Sequence, residues 1–433
     1  MMQSPSFLRR NLARYAQVEP KEVPAVLAAF CLFFFVLGSY FAVRPVRETI
    51  ATLLGSEKVA DLWLYTALFS IAIVPVYGWL VARIRRSILL PFIYAVVAVT
   101  LAVIGSVIQV DERNLQVGTF FYVWISVLNL MLVSVFWSFL LEMFSSEQVK
   151  RLFGFIAAGG TLGALFGPLA AGLLVGRYGN SGVLYLSTAG FIGAIICQRI
   201  LISIWNRQQE DAHQDLSDQP LENGLGGNPL SGISLVLKSR YLLKISVFVV
   251  LLSVVNSFLY FEQLRIVTET FTDTARRTEV FATIDFIVQG LTIFSQLFLT
   301  GRIASKLGVR SLLTFVPIIM IFGFMLLSVL NIFSVIAALL IVRRWGEYSF
   351  IRPGREMLWS MVDIEAKYKA KNFIDVPVYR AADYVGAQAK SAIAVMGTSP
   401  GTVALIGAAM AAIWALNGWN LGSQHDKSKE LET

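Results

Sequence analysis

Apolar residues run in long blocks along this chain, separated by short polar turns. A membrane-spanning helix needs about 20 mostly apolar residues. About twelve such stretches are predicted: 24–54, 59–82, 88–110, 117–142, 152–176, 182–205, 240–264, 277–300, 310–330, 332–352, 372–396 and 400–419. The first is long and contains charges, and the tenth and eleventh carry charges in their middles. From Asn206 to Gly232 the pattern breaks: the stretch is polar, rich in Asp, Gln, Asn and Gly, and has no apolar period. It reads as a flexible linker. The expectation is an all-α polytopic membrane protein of about twelve transmembrane helices in two six-helix bundles. The bundles occupy 1–205 and 238–433, with a cytoplasmic linker at 206–237.

Composition supports lipid as the solvent for most of the 433 residues: 56% are hydrophobic and 15% charged, against about 25% charged in an average soluble domain. That excludes a disordered chain, a disulfide scaffold and a soluble enzyme. Cys31 and Cys197 sit inside apolar runs and read as small hydrophobes. His213 and His425 fall in polar loops far apart, so no metal-ligand spacing exists and no cofactor is expected. Nothing pairs a nucleophile with a base, so the chain does not read as an enzyme. The net charge of +8 is not a nucleic-acid signal here; it reports orientation. With the N-terminus inside, inner segments hold Arg9, Arg10, Arg14, Lys21, Arg83, Arg85, Arg86, Lys150, Arg151, Arg302, Lys306, Arg310, Lys367 and Lys369, among others. Apart from charges placed within helices, outer loops hold only Lys58, Arg113, Arg177, Arg276 and Arg277. Both termini are therefore expected in the cytoplasm, in the cell's inner (plasma) membrane, with the first helix uncleaved.

The candidate chemistry lies in charges inside spans, where an ionisable group by default faces a cavity or a partner. Tyr40, Arg44, Arg47 and Glu48 lie near one face of the first helix. Glu262 and Arg265 fall near the outer end of the seventh, and Asp285 lies in the eighth. The tenth carries Arg343, Arg344 and Glu347; the eleventh carries Asp375, Arg380, Asp383 and Lys390. These groups either staple helices together, as the i,i+4 pairs Arg44–Glu48 and Arg343–Glu347 suggest, or line a substrate path. Several arginines favour a polyanion, because a planar guanidinium grips phosphate or carboxylate oxygens with two parallel hydrogen bonds. Trp137, deep in the fourth span, either packs or stacks on a ring of the cargo. Trp63, Trp79, Trp124, Trp359, Trp414 and Trp419 read mostly as interface anchors. Gly159, Gly160, Gly163, Gly167 and Gly172 crowd the fifth span and read as close helix packing, not as a phosphate loop.

Two loops carry a resemblance. Gly78–Arg86 follows the second span and Gly301–Arg310 the eighth, each a glycine followed by a short basic turn. Both resemble the loop between the second and third helices of each half in the major facilitator superfamily, though both lack that motif's aspartate. In that two-bundle fold, helices one, four, seven and ten surround a central cavity. Three further blocks resemble the ATP/ADP translocase family of plastids and intracellular bacteria, itself related to that superfamily. They are Tyr40–Thr49; Phe136–Phe139 with Glu147–Gly154; and Glu347–Met357 continuing through Glu365–Lys371 to Ile374, Asp375, Val376 and Arg380. The resemblance implies that Arg47, Glu262 and Arg355 occupy charged positions important for nucleotide exchange in that family. Its helix-four glutamate has no counterpart in Trp124–Val127.

The chain thus reads as a secondary active transporter working by alternating access. Its cargo is a small anionic, nucleotide-like substrate, with ATP/ADP-type exchange as one form. Arg44, Arg47, Arg343, Arg344, Arg355 and Arg380 are the substrate-binding candidates. Glu48, Glu262, Asp285, Glu347, Asp375 and Asp383 are the coupling or counter-charge candidates. The alternative is a proton-coupled carrier of another small solute. Beyond substrate and lipid bilayer no partner is expected: no nucleic acid, and a monomer.

Overall fold

The structure, a computed structural model, describes residues 19, 21–84, 86–212, 231–362, 370–371 and 373–432. Arg9, Arg10, Arg14, Arg85, His213, most of the linker and the stretch containing Glu365, Lys367 and Lys369 lie outside the described residues.

The described residues are helical almost throughout, and helix covers each of the twelve predicted spans. In chain order these are α1 (Val23–Leu54), α2 (Ser56–Arg83), α3 (Arg86–Val110), α4 (Leu115–Met143), α5 (Ser146–Ala212), α6 (Ser231–Lys238), α7 (Arg240–Thr270), α8 (Thr274–Phe298), α9 (Thr300–Val329) and α10 (Phe333–Gly346). A π-helical turn (Glu347–Ile351) leads into α11 (Arg352–Leu358). A second π turn (Ile374–Val378) leads into α12 (Tyr379–Val395), and α13 (Pro400–Glu432) follows. Among the described residues, eight helices are long and apolar enough to cross a membrane, and the chain is an integral membrane protein of all-α architecture.

Helix α5 holds the fifth and sixth spans. Its 67 residues would reach roughly 100 Å at about 1.5 Å per residue, far beyond a hydrocarbon core of about 30 Å. Gly179 divides it, with φ 65° and ψ −173°, a region open in practice only to glycine. Gly308 (φ 74°, ψ 176°) divides α9 in the same way.

By Cα proximity the described residues form two compact units. One takes those within Met1–Ile50, Ala72–Pro220 and Asp273–Phe286; the other takes Ala51–Ile71, Leu221–Thr272 and Ile287–Thr433.

In the first unit, α3 packs along α5, and the glycines of α5 let α1 approach. A Cβ on Gly163 would sit 2.8 Å from the Gly38 amide nitrogen, and one on Gly167 3.0 Å from that of Ala42. Backbone touches backbone, as the packing reading of these glycines requires. Ser145 and Gln148 cap the start of α5 reciprocally, Ser145 N–H to Gln148 Oε1 at 3.0 Å and Gln148 N–H to Ser145 Oγ at 3.4 Å. Gln148 and Arg151 then donate to Glu22 at the foot of α1, both to Oε1, at 2.8 and 2.9 Å. Burial pushes the Glu22 carboxyl up, but hydrogen bonds from Gln148, the Glu19 amide and Arg151 outweigh it and hold it below the usual 4.5. Its stabilisation is therefore present above the ordinary carboxylate range and is lost as pH falls through the lowered value.

In the second unit, α9 packs along α13, and α7 packs against both α12 and α13. Two expectations are corrected here. The last helix does not stop near residue 419 but continues to Glu432, and His425 is not in a loop: it is 1% exposed, with Nε2 3.2 Å from Ser360 Oγ. Its neighbour Asp426 accepts from the main-chain N–H groups of Val309 and Arg310 at 3.0 and 3.1 Å. These are the free donors of the helix that restarts after Gly308, so a carboxylate from α13 caps it. Trp359 and Trp414 are also not interface anchors. Both are fully buried, Trp414 against Phe248 with ring centroids 5.7 Å apart. Trp137 packs among Phe33, Phe136 and Phe153.

Candidate functional site

In the first unit, α1 presents Arg44, Arg47 and Glu48. Glu48 takes a close hydrogen bond from Nη2 of its neighbour Arg47. Arg47 Nη1 donates to Ser126 Oγ of α4 at 3.2 Å, and its guanidinium lies 5.5 Å from the Tyr122 ring centroid. The fork thus faces α4 at the place where the helix-four acid was sought: Ser126 stands there, and it is neutral. Arg44 reaches α8, its Nε 3.9 Å from Oδ2 of Asp285, a carboxylate 3% exposed.

Beside these charges runs a chain of neutral polar groups that carries no signal in a hydropathy profile. Thr49 and Thr278 hydroxyls meet at 2.6 Å, Thr278 donates to Asn180 Oδ1 at 2.6 Å, and Asn180 Nδ2 donates to Glu112 Oε1 at 2.7 Å. Thr274 closes the chain on Glu112 Oε2 at 2.8 Å. Thr274, Thr278 and Asp285 fall along one side of α8, one and then two turns apart. Their contacts account for the placement of Asp273–Phe286 in the first unit.

In the second unit the charges centre on the two π turns. Glu347 opens the first. It accepts from Arg343 at 3.0 Å and from Arg352 Nη2 at 3.1 Å, and Glu347 and Arg343 are both buried. Position i+5 on a regular α-helix lies about 140° round from i; the wider π turn brings Arg352 back to Glu347. Such single π turns recur at functional sites. Arg344 sits half-buried beside Arg343 on α10. Arg355, on α11, pairs with Asp375 of the second π turn at 3.2 Å. Arg380 lies 3.9 Å from Asp383 one turn on, and Asp383 takes a close hydrogen bond from Ser253 of α7. Glu262 lies on α7 with Arg265 hydrogen-bonded to Oε1. Its other oxygen faces Lys390 of α12 at 3.9 Å.

The structure thus brings the candidates together in cation–carboxylate groups, each within its own unit. Among the described residues no cluster of His, Cys, Asp and Glu has the makings of a metal site. Sequence reasoning left Arg352 and Lys390 out of the site, although both lie on charged spans. The hydroxyl and amide links through Thr49, Thr278 and Asn180 had no periodic or charge signal to find.

A family model described as Major Facilitator Superfamily matches residues 29–350. No curated protein matches the chain in sequence. Solved structures are similar in fold at low identity. A transporter of the POT family in complex with 5-aminolevulinic acid has TM-score 0.63 and 12% identity, with 92% of this chain and 96% of that one covered. A bacterial homologue of the iron transporter ferroportin, in an inward-facing state, has TM-score 0.62 and 12% identity, covering 97% and 100%. The nucleoside transporter NupG has TM-score 0.57 and 14% identity, covering 93% and 98%.

Proposed function

The chain belongs to the major facilitator superfamily of membrane transporters, and we propose that its cargo is a nucleotide or similar phosphorylated anion, carried by alternating access. The observation that supports this reading is the pairing of arginines with carboxylates in and beside the membrane-spanning segments: Arg44 with Asp285, Arg47 with Glu48, Arg343 with Glu347, Arg355 with Asp375 and Arg380 with Asp383. A buried ion loses several kcal/mol of hydration, and removing its partner strands it. A cargo that brings several negative oxygens replaces a carboxylate on a guanidinium with little net change in charge, whereas a neutral solute leaves the pairs intact. The π turn and α11 belong to the block that resembles ATP/ADP translocases, which adds nucleotide exchange to the reading.

The test is exchange in liposomes. Uptake of labelled ATP should require ATP or ADP inside and should be indifferent to an imposed pH gradient. Uptake of a non-nucleotide solute driven by the gradient, without counter-nucleotide, would instead establish the proton-coupled carrier.

The distribution of basic residues supports an inner-membrane protein with both termini and the linker on the cytoplasmic side. A cysteine at Asp111 in a Cys-free background should react with an impermeant reagent on intact cells, and one at Gly226 should not. The reverse labelling would invert the orientation.

A further inference from the structure

α7 and α12 run side by side in the same direction, and their polar contacts climb together. Ser253 donates to the Asp383 carboxylate, Ser257 Oγ donates to the Asp383 main-chain carbonyl at 3.3 Å, and Glu262 faces Lys390 at 3.9 Å. Gly386, one turn before Lys390, allows this approach; a Cβ there would lie 2.7 Å from Ser257 Oγ.

The two partners of the top rung are held very differently. Glu262 is fixed without Lys390: Oε1 accepts Arg265 Nε at 3.0 Å and takes a second, closer bond from Nη2. Arg265 is itself fixed by Glu269 at 2.7 Å and Asn331 at 2.8 Å. Lys390 has no such support. Its side chain is 10% exposed, yet its ammonium makes no hydrogen bond to the described residues, and Glu262 Oε2 at 3.9 Å lies outside hydrogen-bond reach. A structural staple between an ammonium and a carboxylate closes to about 2.7–2.9 Å. An ammonium offers three donors, and on a side chain only 10% exposed an anionic oxygen is a stronger partner than water.

We infer that Lys390 is a direct contact for an anionic oxygen of the cargo, and that Glu262 is its competitor when the site is empty. The inference rests on the phosphorylated-anion reading above. Cargo enters by taking the ammonium from the field of Glu262, which stays with Arg265. On release, Glu262 again balances the ammonium, so the pair resets the carrier.

The test uses the purified full-length chain and ATP as probe, with binding measured by titration and exchange measured separately in liposomes. Glu262→Gln removes the competing charge, so ATP should bind several-fold more tightly while exchange stalls. Lys390→Gln should weaken ATP binding roughly tenfold or more, the scale of one charge-assisted hydrogen bond, and Lys390→Arg should retain most of it. If Lys390 only braced the helices, Lys390→Gln would lower thermal stability with ATP affinity unchanged, and Glu262→Gln would not tighten binding. Wild-type affinity in both glutamine variants overturns the inference and leaves the nucleotide reading standing. Failure of the wild-type chain to bind ATP overturns both. Should Lys390→Gln fail to fold, the rise in affinity expected of Glu262→Gln decides alone.

Discussion

Replacing Glu347 with alanine should abolish transport and lower stability by about 3–5 kcal/mol, the usual cost of stripping one partner from a buried ion pair. The size follows from the asymmetry of its two arginines. Arg352 is 57% exposed and rehydrates when the carboxylate is lost, whereas Arg343, at 8%, does not. Alanine leaves that second guanidinium in the interior without the carboxylate it is hydrogen-bonded to. The double variant Arg343→Leu/Glu347→Leu removes both charges and should recover most of the lost stability, because apolar side chains of similar size often replace a buried pair without penalty. It should not recover transport. The measurements are the thermal unfolding midpoint in detergent and uptake in liposomes. Normal uptake by the double variant would make this pair a brace and remove it from the site. An unchanged midpoint for Glu347→Ala would mean that Arg343 finds another partner.

A comparable loss, in affinity instead of stability, is expected at Arg47. Its two terminal nitrogens go to different groups, Nη2 to Glu48 on its own helix and Nη1 to Ser126 on α4. Such a fork is set to place two hydrogen bonds on one phosphate or carboxylate, and lysine keeps the charge but loses the fork. Loss of one charge-assisted bond, about 1.5–3 kcal/mol, should weaken apparent substrate affinity roughly ten- to a hundredfold in Arg47→Lys. Arg47→Ala should lose transport altogether. The ATP/ADP translocases that this helix resembles carry lysine at the position, so the comparison is informative. If lysine performs as well as arginine while alanine fails, charge alone is what the site uses. If both variants transport normally, Arg47 does not touch the cargo.

The spans were legible because an apolar run of membrane length is a one-dimensional signal, and because lipid leaves the backbone few alternatives to helix. The break at Gly179 shows in the sequence as the polar turn between the fifth and sixth spans. The π turn at Glu347 does not, since its residues read as ordinary helix. The charged candidates were also legible, as charges in apolar runs. Their partners were not, because pairing is a property of packing. The i,i+4 rule finds Arg343 with Glu347, yet at Arg44 the side chain reaches another helix and Asp285, and Glu48 is taken by the residue beside it. Neutral groups escaped altogether: Thr49, Thr278 and Asn180 join three helices through hydrogen bonds without a charge to mark them. The polar stretch after residue 419 read as a tail because its apolar period is short, but Leu421 and His425, one turn apart, are both buried.

The carboxylate that caps the restarted part of α9 also sets an order in time. Asp426 is translated 117 residues after Val309. At about 5–20 residues per second the ribosome needs roughly 6–23 s to cover that distance. Throughout that interval the N–H groups after Gly308 have no Asp426 to receive them, and the restarted part of α9 keeps an open helix end. The capping of α9 is therefore completed late, from the C-terminal side. A chain truncated before Asp426 should expose this end to proteases, and limited proteolysis against the full chain checks it.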